Sequence, residues 1–543
     1  MVETRNRGSW VVHMNKRIKP VRGQVLGIEG TAWNLSAALF DTDLVALYSR
    51  PYQPLQGGIH PREAAQHHAS EMKDVIRRVL TDSSRVSGVA FSMGPGLGPC
   101  LRTVATAARA LALSLDVPLV GVNHCVAHVE IGRFTTGCED PVVLYASGAN
   151  TQVIGYLNRR YRIFGETLDI GLGNALDKFA RSKGLQHPGG PVIEALAAKG
   201  SYISLPYTVK GMDLAFSGLV SAAKEHEAPI EDVCYSLQET AFAMCVEVTE
   251  RALAHTGKDE VLLVGGVGVN RRLQEMLAVM CRERGATLHV PEPKYMGDNG
   301  AMIAYTGKIM LDNGCAMAPE ETHVNPNFRS DQVEVTWREE EQVHPQGVRT
   351  PMRSSTARGA EAVVTINEDL VEKRRIRKVY RQDSLDSRLI AERTRAEARL
   401  ISLARRGGVP TPVIRDVTPD TLVMERVEGA LMKETLLEPD LQIAGETIGK
   451  LHATGIVHGD LTTSNMIMRD SRCVLIDFGL SMVSKEIEAR GVDMHVLFQT
   501  LESTTEAYPE LKQAFIRGYR SNFSASDEVI LREQEIERRG RYL

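Results

Sequence analysis

The feature that most constrains this chain is the stretch His-Gly-Asp-Leu-Thr-Thr-Ser-Asn at residues 458–465. Asp460 precedes Asn465 by five residues, and Asp477-Phe-Gly follows a short apolar run. In phosphoryl transfer, one carboxylate orients the hydroxyl while an Asn and a second Asp hold Mg²⁺ on ATP. Because this layout begins only at residue 458 of 543, most of the chain must form a different structure.

Composition predicts a globular protein of two or three domains. A chain of 543 residues is too long for one hydrophobic core. Its 43% hydrophobic and 24% charged residues are ordinary for a globular protein. No membrane span is expected, because apolar runs are interrupted well short of roughly 20 residues. Eight cysteines without a Cys-x-x-Cys pair argue against a disulfide framework and a zinc ribbon, and favour the reducing cytoplasm.

Two lobes are predicted in the first part of the chain. Residues 24–28, 34–39 and 44–49 are three short β-type runs, and residues 142–146, 151–156 and 161–164 repeat that order. Helices at 61–80 and 101–115 and strands at 88–92 and 119–122 lie between the two sets. A repeated three-strand meander followed by helices predicts a duplicated ribonuclease-H-like α/β domain, with ligands bound in the cleft between its lobes.

Domain boundaries follow from changes in composition. Residues 1–22 are basic without an apolar core and are predicted to be a flexible extension, with Met14 as an alternative start. The two lobes are assigned to 23–140 and 141–325 of a domain spanning 23–325. A polar linker at 326–356 precedes a last domain at 357–543. There, strands at 361–367, 369–375 and 421–427 and a helix at 385–406 have the order of a small bilobal α+β kinase fold.

A metal site is predicted from His124 and His128, which on a helix would lie on one face with ligand spacing. Most His pairs at this spacing bind no metal. Asp298, on a tight turn before a helix, adds an oxygen ligand of the kind that metals accept. Glycine-rich turns at 94–99, 147–151 and 265–270 are either phosphate cradles or plain turns.

These motifs resemble the universal tRNA threonylcarbamoyltransferase family (TsaD type), whose duplicated domain has the actin/Hsp70-like ATPase fold (ASKHA). The similarity covers about residues 24–325, and residues 357–543 resemble the small atypical serine/threonine kinase of the KEOPS complex. The whole chain is therefore similar to the archaeal fusion of the two. The motifs that carry the resemblance are at 27–31, 57–62, 94–101, 123–128, 145–153, 166–171, 174–180, 187–191, 265–270 and 297–302, then Glu425, 455–465, 477–481 and 539–542.

The resemblance implies transfer of threonylcarbamoyl from threonylcarbamoyl-AMP to N6 of the adenosine beside the anticodon, in tRNAs reading codons that begin with A. It implies a metal, iron or zinc, on His124, His128 and Asp298, with Tyr145 nearby or coordinating. Ala149 stands where the family more often has glycine, so a positive φ there would crowd the adenylate. The implied contacts of the carbamoyl adenylate are Tyr145, Ala146, Ser147, Gly148, Ala149, Asp177, Gly190, Glu194 and Asn270.

In the last domain, Asp460 is the candidate catalytic carboxylate, and Asn465 and Asp477 are the candidate Mg²⁺ ligands. Lys373, paired with Glu397, is expected to reach the phosphates of ATP. Only a short turn around Gly359 is available to cover the nucleotide, because no Gly-x-Gly-x-x-Gly is present. No Ala-Pro-Glu follows Asp477, which favours an ATPase or limited Ser/Thr kinase over a signalling kinase.

The expected partners are tRNA, threonylcarbamoyl-AMP from a separate synthase, and small KEOPS subunits, with no membrane and no DNA. Residues 373–406, with twelve Lys/Arg against four Asp/Glu, suit RNA or form a solvated helix face. Two other functions stay open: a metal-dependent protease with a regulatory kinase, and a signalling kinase with an ATP-sensing scaffold. The protease lacks support because Cys125, not Glu, follows His124.

Overall fold

The computed structural model describes residues 23–54, 58–80, 86–338, 355–505 and 507–542. The expected extension at 1–22, Gly57 and most of the expected linker lie outside these ranges. The chain divides into two compact units. Unit 1 comprises Met1–Ala127, Asp298–Pro326 and Thr336–Glu339, and unit 2 comprises His128–Gly297, Asn327–Val335 and Glu340–Leu543.

Unit 1 is built on one five-stranded sheet of order β3-β2-β1-β4-β5. The first three strands are antiparallel neighbours, and β4 and β5 continue the sheet parallel to β1. The elements are β1 (Gln24–Glu29), β2 (Asn34–Phe40), β3 (Leu44–Pro51), α1 (Pro61–Val79), β4 (Val86–Gly94), α2 (Gly98–Leu115), β5 (Leu119–Asn123) and the start of α3 (His124–Thr136), and later in the chain α10 (Gly300–Asp312).

Both faces of this sheet are covered, since every residue of β1 and β2 is buried. Leu26 and Ile28 share a core with residues of α1 and α2. Gly27 points to the opposite face, where a Cβ would lie 2.2 Å from Ala304 N, so α10 packs directly on β1. This packing explains why Asp298–Pro326, which the sequence placed in the second lobe, belongs to unit 1.

Unit 2 begins with a second five-stranded sheet of order β12-β11-β6-β7-β8. Its antiparallel meander β6-β7-β8 and parallel strands β11 and β12 repeat the topology of unit 1. The elements are β6 (Val142–Ala146), β7 (Thr151–Leu157), β8 (Arg160–Glu166), α4 (Leu172–Ser182), α5 (Gly189–Ala197), β9 (Val209–Lys210), β10 (Asp213–Leu214), α6 (Ser217–Glu225), α7 (Ile230–Thr256), β11 (Glu260–Val264), α8 (Arg271–Arg284), β12 (Thr287–His289) and α9 (Pro293–Met296).

The rest of unit 2 has the architecture of a small kinase. An antiparallel sheet of order β13-β14-β15-β17-β16 carries helix α11, and a mainly helical part follows. The elements are β13 (Ser355–Arg358), β14 (Ala362–Ile366), β15 (Leu370–Arg375), α11 (Asp383–Arg406), β16 (Ile414–Val417), β17 (Thr421–Glu425), β18 (Ala430–Leu431), α12 (Met432–Thr435), α13 (Glu438–Ala453), β19 (Ile456–Val457), β20 (Met466–Arg469), β21 (Arg472–Leu475), β22 (Met482–Val483), α14 (Ile487–Thr504), α15 (Tyr508–Asn522) and α16 (Ser526–Tyr542).

The predicted fold class is confirmed: two copies of the ribonuclease-H-like topology are followed by a kinase-like domain. Helix α7 is buried along most of its 27 residues, as a helix in the middle of a large core should be. Tyr380, from the kinase-like part, belongs to the same core cluster as residues of α7. Among the described residues, no helix combines the length and apolarity needed to cross a membrane.

Candidate functional sites

His124, His128 and Asp298 form a cluster in which one ligand atom of each lies within 4.8 Å of the others. His124 is the first residue of α3, which starts where β5 ends, and His128 follows one turn later on the same helix. Asp298 lies in the turn that leads into α10, and its Oδ1 is 3.4 Å from His124 Nε2. The structure therefore brings the three predicted ligands together.

Glu29, at the end of β1, holds the other ring nitrogen of His124. Its Oε2 lies 3.1 Å from His124 Nδ1, and its Oε1 accepts hydrogen bonds of 2.7 Å from the amide and hydroxyl of Thr31. Both His124 and Glu29 are buried. Burial opposes a positive charge on His124, but Glu29 and Asp298 raise its pKa well above the usual value. A buried imidazole between two carboxylates is thus an environment that stabilises a cation.

This donor set fits a divalent transition metal. Two imidazoles and one carboxylate are common ligands of zinc and iron. The 3.4 Å between His124 Nε2 and Asp298 Oδ1 is about the edge of a tetrahedron with metal–ligand bonds of about 2.1 Å. A carboxylate on the second nitrogen of a ligating histidine orients the ring and increases its basicity. Glu29, which sequence analysis did not identify, places its carboxylate 3.1 Å from His124 Nδ1.

Tyr145 lies at the carboxyl end of β6, beside the parallel strand β11, where Val264 is its partner. Its side chain is buried, and its ring centroid lies 5.1 Å from that of His128. Ligands of α/β sheets bind at the carboxyl ends of parallel strands. Tyr145 therefore lies next to the candidate metal ligand His128.

The turn after β6 is closed by its own hydrogen bonds. Ser147 N donates to Asn150 O at 2.9 Å, and the amides of Gly173 and Asn174 donate to the carbonyls of Ser147 and Gly148. The first amides of α4 are therefore already bonded and do not form a phosphate cradle. Ala146 is buried, whereas Gly148 and Ala149 are exposed, so the tip of the turn remains open to a ligand.

Ala149 does not have a positive φ, so its methyl group causes no backbone strain. The tight glycine is Gly171 instead: a Cβ there would lie 2.4 Å from the carbonyl carbon and oxygen of Ala149. The concern raised by the sequence at Ala149 is therefore removed, and the requirement for glycine lies in the neighbouring loop.

The other four predicted adenylate contacts form a continuous group around α5. Asp177 Oδ1 accepts from Gly189 N at 2.6 Å, and Glu194 Oε1 accepts from Arg271 N at 2.9 Å. Gly190, on the first turn of α5, has open space where a Cβ would be. Asn270 caps α8 by accepting from Arg272 N and Leu273 N, and its amide donates to Gln238 at 3.1 Å. These bonds fix the Asn270 side chain at the start of α8 and leave one N–H of its amide for a ligand.

The glycine-rich loop at 94–99 is likewise occupied by internal contacts. Leu97 N donates to Thr31 O at 2.8 Å, and Gly96 N donates to Pro326 O at 3.1 Å. A Cβ at Gly96 would lie 2.8 Å from Thr31 O. Of the two interpretations left open by the sequence, this structure favours a close backbone contact over an anion cradle.

In the kinase-like part, Lys373 lies between two carboxylates. Its Nζ donates to Glu397 Oε1 at 2.8 Å and to Asp477 Oδ1 at 2.6 Å. Burial opposes the charge of Lys373, but Asp477 and then Glu397 raise its pKa above the usual value. The side chain is therefore a fixed cation, as a phosphate-binding lysine must be. Glu397 is almost fully buried, whereas the Asp477 side chain is 46% exposed.

Asp460 and Asn465 are held together by the loop after β19. Asn465 Nδ2 donates to the Asp460 carbonyl at 2.8 Å and to Asp460 Oδ2 at 2.9 Å. The neighbour of Asp477, Ile476, donates its amide to Asn465 O at 3.0 Å. The candidate catalytic carboxylate and both candidate Mg²⁺ ligands are thus on adjoining segments.

Gly459 occupies the position where ordinary kinases have arginine, and its backbone explains the difference. Its φ is +80°, and a Cβ would lie 2.3 Å from Leu480 O. Asp493 of α14, which sequence analysis did not identify, fixes this loop. It is almost fully buried and accepts from His458 N at 2.7 Å and Gly459 N at 2.8 Å.

Gly359 is not brought into contact with these groups. It lies in the turn between β13 and β14, where its amide donates to Ala362 O at 2.9 Å. Its carbonyl accepts from Arg284, the last residue of α8, at 3.0 Å. The short turn expected to cover ATP is therefore attached to α8 of the preceding domain.

The basic stretch at 373–406 divides into ion-paired residues that are mostly removed from solvent and exposed arginines that leave an RNA-binding surface open. The paired members are Lys373, Arg375, Arg377, Lys378, Arg381 and Arg393, and only Arg377 of these six is exposed. The exposed members are Arg374, Arg377, Arg395, Arg399, Arg405 and Arg406. Only the exposed members are available to a polyanion.

The folds and sites define a class of two-domain protein, in which an ASKHA-type domain with a His/His/Asp cluster precedes a kinase-like domain. Family comparison agrees: the tRNA N6-adenosine threonylcarbamoyltransferase family matches residues 44–305, and the RIO domain family matches 363–495.

Full-length relatives give the same result. A protein of Methanoculleus marisnigri is 69% identical over 527 residues, covering 97% of this chain and 99% of its own length. Proteins of Methanospirillum hungatei and Methanocorpusculum labreanum are 66% and 67% identical, each over 96% of this chain and 99% of its own length. All three are described as probable bifunctional tRNA threonylcarbamoyladenosine biosynthesis proteins. The chain belongs to this family, which confirms the resemblance found in the sequence.

Proposed function

We propose that the N-terminal domain transfers the threonylcarbamoyl group of threonylcarbamoyl-AMP to N6 of the adenosine next to the anticodon, in tRNAs reading codons that begin with A. AMP is the leaving group. The observation that carries the proposal is the cluster of His124, His128 and Asp298, found in a chain that belongs to a tRNA threonylcarbamoyladenosine family. An exocyclic amine is a weak nucleophile, so the main work is positioning it against an activated carbonyl.

The three side chains would hold one iron or zinc ion, with Tyr145 beside it. Such an ion, when bound, polarises a carbonyl or phosphoryl oxygen. Glu29 orients His124 so that Nε2 faces Asp298. The turn at 146–149, with Asp177, Gly190 and Glu194, would contact the adenylate. Asn270, which also caps α8, would contact the adenylate through the remaining N–H of its amide.

The C-terminal domain is proposed to bind Mg-ATP and to act as an ATPase or limited Ser/Thr kinase that supports the modification complex. Lys373 and Glu397 would contact and position the phosphates. Asn465 and Asp477 would hold Mg²⁺, and Asp460 would orient the attacking hydroxyl or water. Gly359, whose carbonyl is bonded to Arg284, would contribute only through its turn.

The proposed partners are tRNA, threonylcarbamoyl-AMP supplied by a separate synthase, and small KEOPS subunits, and the proposed location is the cytoplasm. Neither DNA nor a membrane is needed for this chemistry. If arginines on the surface contact the tRNA backbone, affinity should fall steeply with salt.

The test is transfer of labelled threonine to unmodified tRNA, in a reaction containing the synthase and the partner subunits. His124→Ala should abolish transfer, whereas His67→Ala, which changes a histidine outside the cluster, should leave transfer near the wild-type level. Asp460→Ala should abolish ATP hydrolysis. If the His124 variant kept full activity, the metal-site assignment would be wrong.

Asp460→Ala also separates the roles of the two domains. Loss of transfer in this variant would make ATP hydrolysis a required driver of the modification. Retention of transfer with loss of hydrolysis would restrict the C-terminal domain to regulation. Phosphorylation of many unrelated proteins at rates typical of signalling kinases would instead support the signalling alternative.

A further inference from the structure

A continuous chain of ion pairs runs through unit 2, from the candidate Mg²⁺ ligand Asp477 to helix α7. It starts with Asp477 and Lys373, which are 2.6 Å apart, and continues from Lys373 to Glu397 Oε1 at 2.8 Å. The other oxygen of Glu397 accepts from Arg375 Nη2 at 2.7 Å. Lys373 and Arg375 lie on the same face of β15, so the two cations bracket one glutamate.

The chain continues beyond the kinase-like domain. Arg375 Nη1 donates to Glu361 Oε2 at 2.8 Å, and Glu361 Oε1 accepts from Arg251 Nε at 2.8 Å. Arg251, on α7 of the transferase domain, also lies 2.5 Å from Glu247 Oε1. Glu397 therefore bridges two cations, one with each oxygen, whereas Glu361 holds Arg375 on one oxygen and both Arg251 and Arg393, the latter at 3.5 Å, on the other.

These groups are strongly desolvated. Relative exposure is 8% at Lys373, 6% at Arg375, 2% at Glu397 and 7% at Arg251. Burial opposes ionisation of Glu361, but Arg251, Arg393 and Arg375 hold its pKa well below the usual range. A buried ion that loses its partner must find another or become destabilised. Removal of one member is therefore expected to displace its neighbours along the chain.

Arg251 also holds a turn of the transferase domain that lies beside the nucleotide site. It donates to the carbonyl of Gly211, in the turn between β9 and β10. A Cβ at Gly211 would lie 3.8 Å from the carbonyl of Gly459, the residue that precedes Asp460. One transferase side chain is thus connected both to the lysine pair and to the loop that carries the candidate catalytic carboxylate.

We propose that Arg251 of the transferase domain is a positioning residue for the ATP site of the kinase-like domain. It acts through Glu361 and Arg375 on the Lys373–Glu397 pair, and through Gly211 on the loop before Asp460. This inference rests on the proposed ATP site. Its consequence is that nucleotide affinity depends on the conformation of α7, which is part of the transferase core.

The test uses the full-length protein and measures the Kd of a non-hydrolysable Mg-ATP analogue, together with kcat and KM for ATP hydrolysis. Arg251→Gln is expected to raise Kd and KM about 2- to 30-fold, the range of coupling along such networks, with kcat within about twofold. Arg251→Lys should have a smaller effect, because an ammonium keeps the charge but does not reproduce the fork of contacts. Glu361→Gln should raise Kd by a factor similar to that of Arg251→Gln. In the double variant, the increase in Kd should be smaller than the product of the two single increases, because both substitutions break the same pair.

Arg272→Gln is the matched control. It breaks an arginine pair of the same kind, in which Arg272 donates to the two oxygens of Glu239 at 2.6 and 2.9 Å and joins α8 to α7. The Kd of this variant should stay within about twofold of wild type. Equal effects of the two substitutions, or no change in Kd for Arg251→Gln, would overturn the proposal.

Two further variants distinguish an error in the proposed ATP site from an error in the role of Arg251, and a folding defect from a binding defect. Lys373→Ala tests the ATP site itself: if it binds the analogue as tightly as wild type, the proposed ATP site is wrong, whatever Arg251 does. If Arg251→Gln does not fold, the double variant Arg251→Met with Glu361→Met replaces the pair by apolar side chains of similar volume, which buried sites often tolerate. A weakened Kd in that variant supports the proposal, and a wild-type Kd overturns it.

Discussion

Replacing Glu247 by glutamine should destabilise unit 2 by about 3 kcal/mol. Glu247 lies on α7 and is almost fully buried. Its carboxylate forms ion pairs with Arg393 at 2.8 Å, with Arg251 at 2.5 Å and with Arg381. It also accepts a hydrogen bond from the Tyr207 hydroxyl at 2.5 Å. Glutamine keeps the shape and the hydrogen bond from Tyr207 but removes the charge that three arginines share.

The magnitude follows from the pKa of the carboxyl group. Burial raises the pKa of Glu247, but Arg393, Arg251 and Arg381 lower it from 4.5 to about 2. A difference of about 2.5 units corresponds to about 3 kcal/mol of stabilisation by the ionised form. Because the folded pKa is depressed, this stabilisation is complete above pH 4.5 and is lost as the pH falls towards 2. This value agrees with the general cost of removing one partner of a buried ion pair, which is about 3–5 kcal/mol.

The assay is urea denaturation followed by far-UV circular dichroism at pH 7 and pH 4. At pH 7, Glu247→Gln should lower the urea midpoint by about 1 M or more. At pH 4 the difference between wild type and variant should shrink by about 1 kcal/mol. Glu275→Gln is the control: its side chain is 64% exposed and its pair with Arg272 is 3.3 Å long, so it should cost no more than about 0.5 kcal/mol. The reasoning is refuted if the two variants are equally stable, or if the difference is the same at both pH values.

Three other outcomes are expected. Glu29→Gln should lower metal affinity about 10- to 100-fold, measured as metal retained against a chelator, and unchanged retention would exclude its orienting role. Gly171→Ala should cost about 1–3 kcal/mol of stability, because the new Cβ overlaps the backbone of Ala149, whereas Gly218→Ala, with no atom within 4 Å, should not be destabilising; equal melting temperatures would contradict this. Asp460→Asn should lower kcat for ATP hydrolysis about 100- to 10,000-fold with little change in nucleotide Kd, and a loss confined to Kd would assign it another role.

Most strands and helices were predictable from local patterns. The runs predicted at 24–28, 34–39 and 44–49 end within two residues of β1, β2 and β3, since apolar β-type runs between turns mark strands well. The helix predicted at 385–406 starts two residues earlier, at Asp383. Its cap is Gln382, whose side chain accepts from Ser384 N and Leu385 N, and glutamine is not a usual N-cap.

The candidate sites were only partly predictable. Ligand spacing and family resemblance identified His124, His128 and Asp298, which the structure brings together. Glu29 could not be predicted from the sequence, because it contacts a histidine 95 positions away and no local sequence pattern indicates such a contact. Arg251 stayed hidden for the same reason, since Glu361 is 110 positions distant. Groups that act through another side chain are recognised only once the chain is folded.

The path of the chain through unit 1 also has a consequence for biosynthesis. The chain leaves this unit after Ala127 and returns at Asp298, so the 170 residues His128–Gly297 separate the two segments. At about 5–20 residues per second, ribosomes need roughly 9–34 s to add them. During that time the face of the first sheet that α10 later covers remains exposed, since Ala304 has not yet been made. Asp298 emerges last among the three candidate ligands, so the complete ligand set exists only after more than half of the protein has been translated.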